Sequence, residues 1–251
     1  MDLQQIVERY ARAIEYVDAH TDIARANPRT GEIYRTSFKA LPETEAVAGI
    51  DAAWDLLHPG ELVSPKDQRT GVKYPGVARA KCDHVFTTVG TAGPGEEWGV
   101  EVKKIEFIGN NGNNNDFGVG KMLSPYLKDR GLLHDAARLR EHGFTRRVAV
   151  IGYTFDYDAA TCDEAERLHP KASGTIANMR SVVRKNGGSL RPRQLIEFTD
   201  AILGLRGYLR GPRAQAEFLA FRSPTGGHGV VFGWEIRRPQ LEPEYDTRHP
   251  W

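Results

Sequence analysis

The segment RRVAVIGYTF, residues 146–155, narrows the choice of folds more than any other stretch of the chain. A near-continuous apolar run of this length reads as a strand covered on both faces, as parallel strands are when helices flank their sheet. The residues before it tighten the constraint. The pattern predicts a helix from about Gly131 to His142, preceded by a strand-like segment from Trp98 to Ile108. Strand, helix, strand in that order predicts a parallel crossover of the usual right hand. A further strand-like segment, Ala80 to Val89, leads into Trp98 through TAGPGEE, whose Gly and Pro predict a hairpin.

Helices are expected around this unit. Leu3, Ile6, Val7, Tyr10, Ile14 and Val17 recur at helical spacing and predict an amphipathic helix over 2–20. Residues 21–40 read as loop. A second helix is expected to begin near Pro42, run through ETEAVAGIDAAWDLL and end at His58-Pro59-Gly60. Helices over 172–185 and 191–210 follow, and EFLAFRSP with GVVFGWEIRR closes the chain as a hairpin around Thr225-Gly226-Gly227. The expected fold class is α/β, a mixed sheet flanked by helices, with helical and β-hairpin additions. Its 251 residues are read as one domain, able to bury a core without disulfides or structural metal. Cys82 and Cys162 belong to no CxxC or Cys/His cluster, which argues against a zinc site and a disulfide framework. With no signal-like start and no apolar run of membrane length, a soluble cytoplasmic protein is expected, with no membrane partner.

The chemistry is expected in WGVEVKKIEF. Trp98, Val100 and Val102 share one face of the strand, so Glu101 and Lys103 point together to the other, where Ile105 and Phe107 continue. A carboxylate and an ammonium in so apolar a strand must be paired, metal-bound or at a cleft rim, because uncompensated burial costs on the order of several kcal/mol per ion. Asp83, on the preceding strand, comes near Glu101 in an antiparallel hairpin, to within a register step. Two carboxylates offer hard oxygen donors of the kind Mg²⁺ takes while keeping water and substrate oxygens. The lysine adds positive charge for water or a phosphoryl group. A plain cross-strand ion pair on an exposed hairpin is the competing reading, and the apolar residues on both faces count against it.

An acidic residue on one strand followed by Glu-x-Lys on the next, with a helix before and a crossover helix after, resembles the PD-(D/E)XK nuclease superfamily over roughly residues 42–155. The resemblance implies a restriction-endonuclease-like fold with the N-terminal helix and a 160–251 extension added. It also implies hydrolysis of DNA phosphodiesters dependent on Mg²⁺, with Mn²⁺ as substitute, in a restriction or phage-defence setting. Asp83 would match the first acid, Glu101 the second and Lys103 the lysine, with Asp83 and Glu101 on the metal. Glu45, or Glu43, would match the helix glutamate that joins the metal in many members. Cys82 stands where the motif has proline, a position without catalytic chemistry. Members often pair to cut both strands, which leaves a homodimer open.

Other features carry less. Net charge is only +1, but between Met179 and Arg213 eight basic residues face Glu197 and Asp200 alone. Arg180, Arg184, Lys185, Arg191 and Arg193, with Lys121, are the expected contacts to the nucleic-acid backbone. Gly120-Lys121 fails the phosphate-loop pattern, since Asn115 and Met122 stand where Gly and Ser/Thr are needed. The loop GNNGNNND, 109–116, carries amides able to contact bases, although a flexible turn is the plainer reading. His84 is expected to point away from Asp83 as a structural residue. Two alternatives stay open: a silent module binding nucleic acid or protein on the same fold, and an enzyme acting on a small phosphorylated substrate.

Overall fold

The computed structural model describes residues 1–20, 23–26, 31, 33–63, 71–78, 80–88, 97–115, 120, 122–124, 126 and 131–238. It is a mixed α/β fold. Five strands form the main sheet: β5 (His84–Phe86), β6 (Trp98–Lys104), β7 (Arg147–Phe155), β10 (Ala214–Ala220) and β11 (Gly227–Glu235). Their order is β10-β11-β7-β6-β5. Only β6 and β7 run parallel; the other neighbours are antiparallel. The apolar run of residues 147–155 thus lies at the sheet centre, as its composition predicts, buried from Val148 onward.

Two helical layers cover the sheet. The helices α1 (Leu3–His20) and α2 (Glu43–Leu57) lie on one face, against Val100, Val102, Ile151 and Tyr153. On the other face α3 (Leu132–His142) and α6 (Arg193–Leu205) pack against Val148, Val150, Phe232 and Trp234. Two further helices, α4 (Ala159–Leu168) and α5 (Ser173–Lys185), follow β7 and bury Cys162, Ile176 and Met179. No helix among the described residues is long and apolar enough to cross a membrane.

The structure departs from the sequence reading in three places. The stretch read as loop, 21–40, contains a two-stranded ladder, β1 (Ile23–Ala26) with β2 (Ile33–Thr36). The strand expected from Ala80 to Val89 is broken at Asp83. Its first part, β4 (Lys81–Cys82), pairs with β3 (Val72–Lys73), and only β5 joins β6. The second strand ends at Lys104 rather than Ile108. Two further short strands, β8 (Tyr157–Asp158) and β9 (Ser189–Leu190), pair with each other. The TAGPGE turn of the hairpin and Lys121 lie outside the described residues.

Candidate active site

Alternation along β6 sorts its side chains between the two layers. Trp98, Val100 and Val102 enter the α1/α2 layer. Glu101 and Lys103 enter the α3 layer and are 2% and 7% exposed, too buried to be left uncompensated. Gly99, on the same face, is needed for close approach, because a Cβ there would come within 2.7 Å of Thr145 Oγ1.

The break in the β4–β5 strand places Asp83. The β5–β6 ladder pairs His84 with Val100, so the next step brings Asp83 opposite Glu101. The ladder has stopped by then, and the Asp83 carboxylate accepts the hydrogen bond that a strand carbonyl would have taken. Its Oδ2 is 2.8 Å from the Val102 N–H. His84 points the other way. It is fully buried, with Nδ1 2.7 Å from Asp51 and Nε2 3.5 Å from the Tyr10 hydroxyl, the structural place expected for it.

Four more groups close around Glu101 and Lys103. The Tyr74 hydroxyl donates to Glu101 Oε1 at 2.5 Å, and Arg138 reaches the same oxygen at 2.7 Å. Arg138 also lies over the Tyr74 ring and pairs with Asp135 at 2.7 Å, one helical turn before it. Lys103 Nζ is 2.9 Å from Asp135 and 3.2 Å from Glu43. Glu43, not Glu45, is therefore the helix carboxylate brought to the lysine. The two residues stand about 200° apart around the helix axis, so only one can face the strand. Asp135 and Arg138 were not singled out from the sequence, yet a signal existed. Asp135 interrupts the apolar stripe Leu132, Ala136 and Leu139, and a charge on the buried side of a helix needs a partner across the core.

Burial and neighbours set the protonation of the cluster. Burial raises the Glu101 pKa well above the usual carboxylate range, and Asp83 and Asp135 raise it further against the pull of Arg138 and Tyr74. Asp135 is raised as well, chiefly by burial, although Lys103 and Arg138 oppose this. For Lys103 burial acts against the charge, but Asp135, Glu43 and Asp83 outweigh it and hold the ammonium protonated beyond its ordinary range. Lys103 is thus a fixed positive charge at neutral pH, unsuited to removing a proton. Three carboxylates crowd one strand segment, and added positive charge there would relieve the pressure on Glu101.

On the opposite side of the same strand, Lys39 is fully buried. It donates to Glu106 and, at 2.6 Å, to the Ile108 carbonyl, while Lys104 donates to the carbonyls of Lys39 and Leu41. These contacts pin the turn before α2, and with it Glu43, to the end of β6.

Of the expected nucleic-acid contacts, the described arginines that form ion pairs have their acidic partners outside this cluster. Arg180 pairs with Asp163 and Glu166, Arg191 with Asp158, and Arg193 with Asp156 and Glu217. Arg184 and Lys185 are exposed on α5, and among the described residues neither has an acidic partner. Five of the eight basic residues of the 179–213 run are paired, once Arg210 with Glu235 and Arg213 with Asp200 are included. Compared with protein-family models, with curated proteins and with solved structures, the chain matches none.

Proposed function

We propose that this chain is a divalent-metal-dependent nuclease that hydrolyses DNA phosphodiester bonds at the Asp83–Glu101–Lys103 cluster. One observation carries the reading: two carboxylates and a permanently charged lysine, borne on β6 and on the break between β4 and β5, come together in surroundings that crowd negative charge.

The donor set suits Mg²⁺ or Mn²⁺. Among the described residues the hydrogen bonds and ion pairs of Glu101 fall on Oε1, and the hydrogen bond of Asp83 falls on Oδ2. The second oxygen of each carboxylate is the one available to a hard cation. Among those residues no three His, Cys, Asp or Glu side chains are grouped to enclose a metal. The protein's share would be two carboxylates, and Mg²⁺ commonly fills the rest of its shell with water and substrate phosphate. When bound, such an ion supplies positive charge at the phosphoryl group and lowers the pKa of a water bound to it. Lys103, steered by Asp135 and Glu43, holds a cation where negative charge develops, and in a water-poor site a fixed cation acts strongly. Arg138 and Tyr74 orient Glu101.

A silent binding module on the same fold is the second reading, and one observation favours it. Arg138 and the Tyr74 hydroxyl already engage the Glu101 carboxylate from within the protein. The test is cleavage of plasmid and single-stranded DNA in Mg²⁺ or Mn²⁺ by wild type, Glu101→Gln and Lys103→Ala. Metal-dependent nicking abolished in both variants is the expected result. Folded protein that binds DNA in a salt-sensitive way but cuts neither substrate would transfer the assignment to the silent module. Variants that cut as well as wild type would rule the cluster out.

A further inference from the structure

The asparagine loop that leaves β6 takes no part in the cluster, and it is not a free turn. Asn114 bridges to Ile108, and the Gly109 N–H donates to the Asn113 carbonyl at 2.9 Å. Gly112, with φ 77°, rests directly on α5, where a Cβ would fall 2.1 Å from the Thr175 carbonyl oxygen. Asn178 of α5 donates back to the Asn111 carbonyl at 3.1 Å. Loop and helix are thus held by close backbone approach at Gly112 and a side-chain hydrogen bond from Asn178, and any side chain other than hydrogen at 112 would separate them.

Between them lies a groove of 560 Å³ lined by Asn113, Asn114, Asn178, Ser181, Lys185 and Asn186. Among the described residues no carboxylate lines it. The contrast with a cavity of 460 Å³ beside Asp156 is informative, because there Glu15, Asp156, Asp158 and Glu217 outnumber Arg191 and Arg193, and the excess negative charge disfavours a polyanion. Asn113 is exposed, and among the described residues its hydrogen bonds use only its backbone.

We infer that this groove is a base-reading site for double-stranded DNA, with Asn113 contacting an adenine edge and Lys185 a neighbouring phosphate. The inference rests on the nuclease reading and adds sequence recognition to it. A primary amide presents a donor and an acceptor side by side, the pairing that matches adenine N6 and N7 in the major groove. An ammonium at the rim supplies the backbone contact that fixes register. The distance allows it. Lys103 and Ile108 are five residues apart, at most about 18 Å in extended chain. One turn of duplex measures about 34 Å, longer than that separation along the chain.

The experiment is selection from a randomised duplex library in Ca²⁺, followed by sequencing, with wild type, Asn113→Ala and Lys185→Ala. Wild type is expected to enrich adenine at a fixed position. Asn113→Ala should lower that enrichment by about tenfold while binding non-selected duplex as before. Lys185→Ala should weaken binding to all sequences alike and reduce the slope of log affinity against log salt by about one. Enrichment that survives Asn113→Ala, or wild type that binds duplex with no base preference, overturns the inference and leaves the nuclease reading standing. Wild type that binds no DNA at all overturns both.

Discussion

The α3-facing side of β6 and the basic run of residues 180–213 both place charge on the molecule, but their surroundings make them different objects. In the first, Glu101, Lys103 and Asp135 are nearly inaccessible, and each charge is satisfied by a partner on another element. In the second, arginines such as Arg180 and Arg191 sit at the surface, and their acidic partners come from α4 and the strand before it. A charge count along the chain sees the second region and overlooks the first. The lesson is that buried charge reports on the site, whereas a run of exposed charge reports on local sequence until its partners across space are known.

The largest effect should come from breaking the buried set. Arg138→Ala removes a partner of both Glu101 and Asp135, and it should destabilise the fold by about 3–5 kcal/mol, the usual cost of leaving buried charge unpaired. Denaturant unfolding would measure it; a loss under about 1 kcal/mol, the range of surface pairs, would place the cluster in water and erase the contrast.

Next comes the buried lysine on the other side of β6. Burial pushes the Lys39 pKa down to about 8, against the pull of Glu106. Unfolded, the side chain titrates near ~10.4, so between these values the unfolded chain holds the extra proton and stability due to Lys39 rises with pH. That stability is fully present above the unfolded pKa and is lost as pH falls through about 8. Relative to Lys39→Met, wild type should therefore gain up to about 3 kcal/mol between pH 7 and pH 11, by the conversion of pKa difference to free energy. A flat difference across that window would mean that Lys39 is solvated.

The smallest effect belongs to the surface. Arg180→Ala, although it breaks pairs with Asp163 and Glu166, should change stability by less than about 1 kcal/mol, and less still at high salt. A larger loss would put α4 and α5 among the structurally committed charges and blur the distinction.

Much of this arrangement is legible in the sequence, for identifiable reasons. The central strand and the α3 crossover announce themselves because apolar runs and a 3.6-residue period are set by burial. Glu101 and Lys103 fall on one face because strand alternation admits no other result, and Asp83 arrives within the register step left open. Glu43 could not be separated from Glu45 without knowing where the first turn of α2 begins. Asp135 and Arg138 needed the facing strand to give them meaning. The β1–β2 ladder is two four-residue strands, IARA and IYRT, too short for a period to show. The partners of the basic run lie tens of residues away in sequence for Arg193 with Glu217 and Arg191 with Asp158, beyond any local reading.

The decisive property is uptake of a divalent cation by the Asp83–Glu101 pair. Titration of Mn²⁺ followed by the paramagnetic signal of the free ion tests this without relying on cleavage, using wild type, Asp83→Asn and Glu101→Gln. The prediction is saturable binding by wild type that is lost or strongly weakened in both variants while each remains folded. Wild type that leaves the free Mn²⁺ signal unchanged, or variants that bind as wild type does, would contradict it.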